Sequence, residues 1–78
     1  MIPNDDLIWH AIERVSDGTR PLVLTVAQVA TILNVSGLTV RRMIAKGDLA
    51  AQRFLGAVRI PAAEVFRVLG AEPSGEAG

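Results

Sequence analysis

The spacing of hydrophobic residues predicts a series of short helices, the first of them near the amino terminus. Apolar side chains recur there at the three- and four-residue intervals that place them on one helical face. The residues of this face are Leu7, Ile8, Ala11, Ile12 and Val15. The face either completes a small hydrophobic core, with Trp9 at its edge, or forms an interface with another protein, since Trp is favoured in interfaces.

End signals predict two further helices that are separated by a short turn. Thr25 followed by Gln28 is the pattern of a capping box, so a helix begins there. Asn34 tolerates the left-handed conformation in which helices often end. Ser36 can accept the first backbone hydrogen bonds of the next helix, and Gly47 can end it.

This next helix, over about residues 37–46, divides its apolar and polar residues between opposite sides. Successive residues turn by about 100° on a helix, so Val40, Met43 and Ile44 share the side that a core would cover. The opposite side and its flanks carry Leu38, Thr39, Arg41, Arg42, Ala45 and Lys46. The helix therefore presents its cations away from the core.

A β-hairpin and a closing helix are predicted downstream. Residues 51–54 and 57–60 are strand-like runs on either side of a turn that contains Gly56. Pro61 suits the first turn of a last helix, which would direct three apolar residues inward, namely Val65, Val68 and Leu69.

These elements predict one small domain that is mainly α with a small β-hairpin. A helix and linker over residues 1–21 precede a domain over residues 22–69, and a disordered tail covers residues 70–78. Two helices joined by a short turn and followed by a hairpin are the layout of a winged helix-turn-helix, here preceded by an extra N-terminal helix. A chain of 78 residues can bury only a modest core, so we expect marginal stability.

Charge is segregated along the chain although its formal net value is zero. Between Ser36 and Arg67 there are six basic and two acidic residues, whereas the remainder has two basic and six acidic ones. The basic excess falls on the second helix of the pair and on the hairpin. Charge asymmetry of this kind indicates contact with nucleic acid, and an excess of this size predicts weak binding by a single copy.

Residues able to carry catalysis or to bind a metal are sparse. The chain has no Cys, His10 is its one His, and Ser36 has no His or Lys partner to activate it. We therefore expect no enzyme activity, no cofactor, no metal and no small-molecule ligand. No apolar run approaches the roughly 20 residues that span a bilayer, and the start is acidic where a secretory signal would be basic. The expectation is a cytoplasmic protein that does not enter a membrane.

Two groups of residues resemble the small excisionase-type DNA-binding domains, whose winged helix is similar to that of mercury-resistance (MerR-type) regulators. The first group is Leu24, Thr25, Val29, Ala30, Val35, Ser36, Thr39, Val40, Arg42, Gly47, Asp48 and Leu49. The second group, in the hairpin, is Arg53, Gly56, Arg59, Ile60 and Pro61. The chain departs from the pattern at Gly37, Leu38 and Ala57, which stand where Arg or Lys is frequent.

The resemblance implies double-stranded DNA as the partner, and Thr39, Arg41 and Arg42 as DNA contacts. We expect backbone contacts from Arg53 and Arg59, either of which could instead be a plain surface residue on the hairpin. Leu38 either touches a thymine methyl group or packs under the N-terminal helix. The full set of predicted DNA-binding residues is Ser36, Leu38, Thr39, Arg41, Arg42, Lys46, Arg53, Gly56 and Arg59.

Three functions fit these expectations. The first is an accessory factor that binds repeated sites beside neighbouring copies, bends DNA and sets the direction of an integrase, as the resemblance implies. The second is a small transcription regulator with the same mode of DNA binding. The third is a protein-interaction module, such as an anti-repressor or a toxin–antitoxin component, that retains the fold without its cations at Gly37, Leu38 and Ala57.

Overall fold

The computed structural model describes the backbone of residues 4–70 and the side chains of residues 6–70. It contains four helices and three strands within that range. In chain order they are α1 (Asn4–Val15), β1 (Val23–Leu24), α2 (Val26–Leu33), α3 (Gly37–Lys46), β2 (Gln52–Phe54), β3 (Ala57–Pro61) and α4 (Ala62–Val68). The predicted fold class, mainly helical with a small hairpin and an additional N-terminal helix, is confirmed. The predicted tail lies outside the described residues, apart from Gly70.

The predicted capping box fixes the start of α2. The Gln28 backbone N–H donates to the Thr25 hydroxyl at 3.0 Å, and the Thr25 backbone N–H donates to the Gln28 side-chain oxygen at 2.9 Å. The amide nitrogen of Gln28 also donates to the Val15 carbonyl at 3.1 Å. One side chain therefore caps α2 and joins it to the end of α1.

The predicted ends of α2 and α3 are also confirmed. Asn34 ends α2 in the left-handed conformation, with φ 60°. The Ser36 hydroxyl accepts a hydrogen bond from the Thr39 backbone N–H at 3.0 Å, and Gly47 ends α3 at φ 85°. Three residues therefore separate the two helices, and caps define where each of them begins and ends.

The hairpin belongs to a three-stranded antiparallel sheet with the strand order β1-β3-β2. The strand β1 was missed in the sequence because a two-residue strand is too short to show alternation. Its position comes from distant pairing, since Val23 lies opposite Pro61 and Leu24 lies opposite Ile60. The sheet thus attaches the hairpin to the chain just before α2.

The core gathers side chains from every helix and from strands β1 and β3. Its buried members are Ile8, Ile12, Leu24, Val29, Ala30, Val40, Leu49, Ile60, Ala62 and Val65. Because Ile8 and Ile12 are among them, α1 packs as part of the core. The prediction that Leu69 faces inward was wrong, because it follows the last residue of α4 and is 42% exposed. On α1, Leu7 is 59% exposed and lies outside the core, unlike Ile8 and Ile12. Within residues 4–70, every helix falls short of the length and apolar character needed to cross a bilayer.

Aromatic contacts hold the outer side of α1 against α4. The rings of Trp9 and Phe66 meet edge to face, with centroids 5.2 Å apart. The guanidinium of Arg20 lies 5.2 Å from the centroid of the Trp9 ring, and its Nε donates to a Glu13 carboxylate oxygen at 2.6 Å. Trp9 is half-buried at the edge of the core, as one of the two interpretations of α1 predicted.

Candidate nucleic-acid interface

Helix α3 packs on α2 with one side and leaves its cations exposed. Val40 is fully buried, and Met43 and Ile44 pack against the core as partly buried residues. Arg41 and Arg42 are both exposed. The division of the helix into a core side and an outer side therefore follows the sequence prediction.

The start of α3 is a compact polar cap. The Ser36 and Thr39 hydroxyl groups lie 3.0 Å apart and share a hydrogen bond, in addition to the bond from the Thr39 backbone N–H. Both predicted contact residues thus help to begin the helix. Leu38, beside them, is 58% exposed and is not a member of the core, so it does not pack under α1.

The hairpin ends in a two-residue turn, and its two arginines lie on opposite faces. Arg53 pairs with Val58, whereas Arg59 pairs with Gln52 on the neighbouring register position. Paired residues share a face and adjacent positions alternate, so Arg53 is on the face of the buried Ile60 and Arg59 is on the outer face. The two side chains therefore differ in the face that they occupy, whereas the members of a cross-strand pair would share one face. One guanidinium N–H of Arg59 donates to the Val58 carbonyl at 2.9 Å.

A groove joins α3, the hairpin and the start of α2. It has a volume of about 470 Å³ and is lined by Thr25, Val26, Ala27, Arg41, Arg53, Gly56, Ala57, Val58 and Arg59. We call it the cationic groove, because three of these residues are arginines and none is acidic. It brings together four of the predicted site residues, Arg41, Arg53, Gly56 and Arg59. The other five, Ser36, Leu38, Thr39, Arg42 and Lys46, lie outside its lining.

The arginines of α3 and of the hairpin are not engaged in ion pairs among the described residues and are available for a partner. In the described part of the chain, no salt bridge involves Arg41, Arg42, Arg53 or Arg59. Lys46 differs, since its ammonium group lies 3.7 Å from a carboxylate oxygen of Asp48 and both side chains are largely exposed. An exposed pair of this kind contributes little to stability.

The sixth cation of the basic segment, Arg67, is part of the fold. Its guanidinium contacts the Glu64 carboxylate at 2.8 Å and donates to the Asp48 carbonyl at 2.7 Å. The Arg67 hydrogen bond and the Ala50 backbone N–H, which donates to the same carboxylate at 2.8 Å, hold the pKa of Glu64 below its ordinary value. Arg67 thereby ties α4 to the loop after α3, and its charge is balanced by Glu64. The number of basic residues in this segment therefore overstates the positive charge that is available for a partner.

Sequence reasoning missed one part of the groove, the first turn of α2. Thr25, Val26 and Ala27 line it beside the arginines. The amino end of a helix carries partial positive charge and favours anions. The capping box marked this helix end, but only the packing of α3 and of the hairpin against α2 shows that the end lies beside Arg41 and Arg53.

Two capped helices with a three-residue turn, an exposed second helix and an adjoining hairpin define a winged helix-turn-helix. The chain belongs to the helix-turn-helix domain family, whose sequence model matches residues 23–72. Its fold is accordingly that of a DNA-binding helix-turn-helix protein. No curated protein matches the chain, and no solved structure matches it either.

Proposed function

We propose that this chain is a sequence-specific, double-stranded DNA-binding protein of excisionase type. In this proposal α3 enters the major groove and the hairpin contacts the neighbouring backbone. The cationic groove is the observation that supports it, because Arg41 of the second helix and Arg53 and Arg59 of the hairpin all line it. Helix-turn-helix proteins use their second helix in this way.

The proposed roles of the residues follow from their positions. Arg41, Arg53 and Arg59 line the cationic groove and contact phosphates, with the amino end of α2 and the Gly56 turn beside them. Arg42 contacts phosphate from the exposed side of α3. Outside the groove, the remaining contacts come from the start and end of α3, namely Ser36, Leu38, Thr39 and Lys46.

Base recognition by this surface is limited. Leu38, with more than half of its surface exposed, offers an apolar contact to a thymine methyl group. Gly37 before it offers no side chain at all. Most of the binding energy would then come from phosphate contacts, which carry no direct sequence information.

Weak binding by one copy favours a function that uses several copies. The four arginines that form no salt bridge among the described residues support roughly four phosphate contacts, fewer than the six to ten of proteins with strong salt-dependent affinity. Neighbouring copies on repeated sites would raise the total affinity and bend the duplex between them. This is the behaviour of the excisionase type that the chain resembles, in which the bent DNA directs an integrase.

The arrangement of binding sites tests the proposal. Duplexes selected by the protein from a random library would be used to build pairs of sites in direct or inverted repeat, with varied spacing. We expect cooperative gel shifts on direct repeats that are about one helical turn, or 10–10.5 base pairs, apart. Arg41→Ala should weaken these gel shifts. Arg14→Ala is its control and should leave them unchanged, since Arg14 is an exposed cation of α1 outside the cationic groove.

Other outcomes would point to the other two functions. Preference for inverted repeats would indicate a symmetric transcription regulator and would contradict the side-by-side arrangement. Failure to select any duplex, at low salt as well as at physiological salt, would contradict DNA binding and favour a protein-interaction module.

A further inference from the structure

The tip of the hairpin has an unusual residue in a demanding backbone conformation. Leu55 and Gly56 form the turn between β2 and β3, and both have positive φ, 53° and 83°. Positive φ at both central positions is the pattern of a type I′ turn, in which Asn-Gly and Asp-Gly are preferred. A branched apolar residue at the first position strains the backbone, because its Cβ approaches the following carbonyl oxygen.

Leu55 also differs from the other residues of the same conformation. Among the described residues, the non-glycine positions with positive φ are Asp17, Asn34 and Leu55, and the first two are types that tolerate it. Leu55 is 93% exposed, more than any other large apolar side chain in the described range. Leu55 therefore destabilises the fold through backbone strain and through apolar surface exposed to water, and its exposed side chain gains little packing in return. Strain of this kind is typical of functional positions.

The position of Leu55 connects it to the proposed DNA surface. Its neighbours Gly56 and Ala57 line the cationic groove together with Arg53 and Arg41. If these arginines contact the DNA backbone, the exposed tip beside them lies close to the same backbone and within reach of the adjoining minor groove. Apolar side chains placed there in other DNA-bending proteins insert between base pairs and kink the duplex.

We propose that Leu55 is a wedge that inserts from the minor groove between two stacked base pairs and kinks the DNA. This inference rests on the proposed function and adds to it a source of bending and of specificity. Pyrimidine–purine steps such as TA and CA unstack most easily. The protein would therefore prefer DNA sites that have such a step at the position of Leu55. This preference would arise without any hydrogen bond to a base.

A single substitution separates the wedge from a structural role. Leu55→Asn supplies the residue that the turn prefers, so the midpoint of thermal unfolding should rise, by about 4 °C for a domain of this size. The same variant should bend a selected duplex by at least about 20° less than the wild type, since one wedge kinks DNA by 20° or more. Leu55→Met keeps an apolar wedge and should retain the bend. Leu22→Asn is the matched control, because Leu22 is 82% exposed and lies outside the cationic groove.

The bend is measured by energy transfer between dyes at the ends of the duplex, and unstacking by the fluorescence of 2-aminopurine at each base step. The wild type should raise this fluorescence at one step, and Leu55→Asn should abolish the rise. Wild-type binding without unstacking at any step, or an undiminished bend with Leu55→Asn, would overturn the wedge. An equal loss with Leu22→Asn would overturn it as well. In each of these outcomes the wedge would fail, but the proposed function would stand if binding still depended on Arg41. Absence of DNA binding by the wild type would overturn both the wedge and the proposed function.

Discussion

Replacing Ile12 by Ala tests whether α1 is an integral part of the core. Ile12 is completely buried, whereas Leu7 on the same helix is 59% exposed. Ala lacks three of the methyl and methylene groups of Ile, which at about 0.8 kcal/mol each correspond to about 2.4 kcal/mol of lost burial. The cavity left in a packed core brings the expected cost to about 2–5 kcal/mol. A domain of this size has a total stability of about 5 kcal/mol, so Ile12→Ala should remove about two fifths of it or more.

Urea unfolding followed by circular dichroism measures this loss as a change in the free energy of unfolding. Leu7→Ala is the matched control, and its loss should be about 0.5 kcal/mol, as for other exposed positions. Equal losses for the two variants, or an Ile12→Ala protein within about 0.5 kcal/mol of the wild type, would refute the burial of α1 against the core. Such a result would support the alternative in which α1 serves as an interface.

Two further predictions concern Glu64 and the edge of the cationic groove. Because the pKa of Glu64 is lowered in the folded protein, its ionised form stabilises the fold above the ordinary glutamate pKa, and this contribution is lost as pH falls through the lowered value. Thermal unfolding at a series of pH values should therefore show a weaker acid dependence for Glu64→Gln than for the wild type, and an unchanged dependence would contradict the role of the Arg67 contact. Ala57→Arg adds a cation to the cationic groove and should tighten binding to most duplexes at low salt. Unchanged affinity in a gel-shift titration would show that the hairpin does not approach DNA.

The helix-turn-helix pair could be predicted from sequence because its ends are encoded by local interactions. Thr25 with Gln28, Ser36 and Gly47 each act within a few residues of themselves, so the spacing of residue types carried the information. The strand β1 could not be found in the same way. Its two residues are ordered by pairing with β3, which is more than thirty positions away in the chain.

The candidate site was only partly accessible to sequence reasoning for a similar physical reason. Exposure of Arg41 and Arg42 follows from helical periodicity, but the grouping of Arg41 with Arg53 depends on how the hairpin packs beside α2. The opposite facing of Arg53 and Arg59 depends on the register of the hairpin. That Arg67 is bound to Glu64 and to the Asp48 carbonyl depends on tertiary packing, which net charge does not reveal.

The salt dependence of DNA binding tests the central claim, that the cationic groove contacts the phosphate backbone. The logarithm of the binding constant would be measured against the logarithm of salt concentration for the wild type, Arg41→Ala, Arg53→Ala and the control Arg14→Ala. Each lost phosphate contact should reduce the magnitude of the slope by about 0.9, so the two groove variants should show this change and the control should keep the wild-type slope. Equal slopes for the groove variants and the wild type, with circular dichroism showing folded proteins, would contradict the claim.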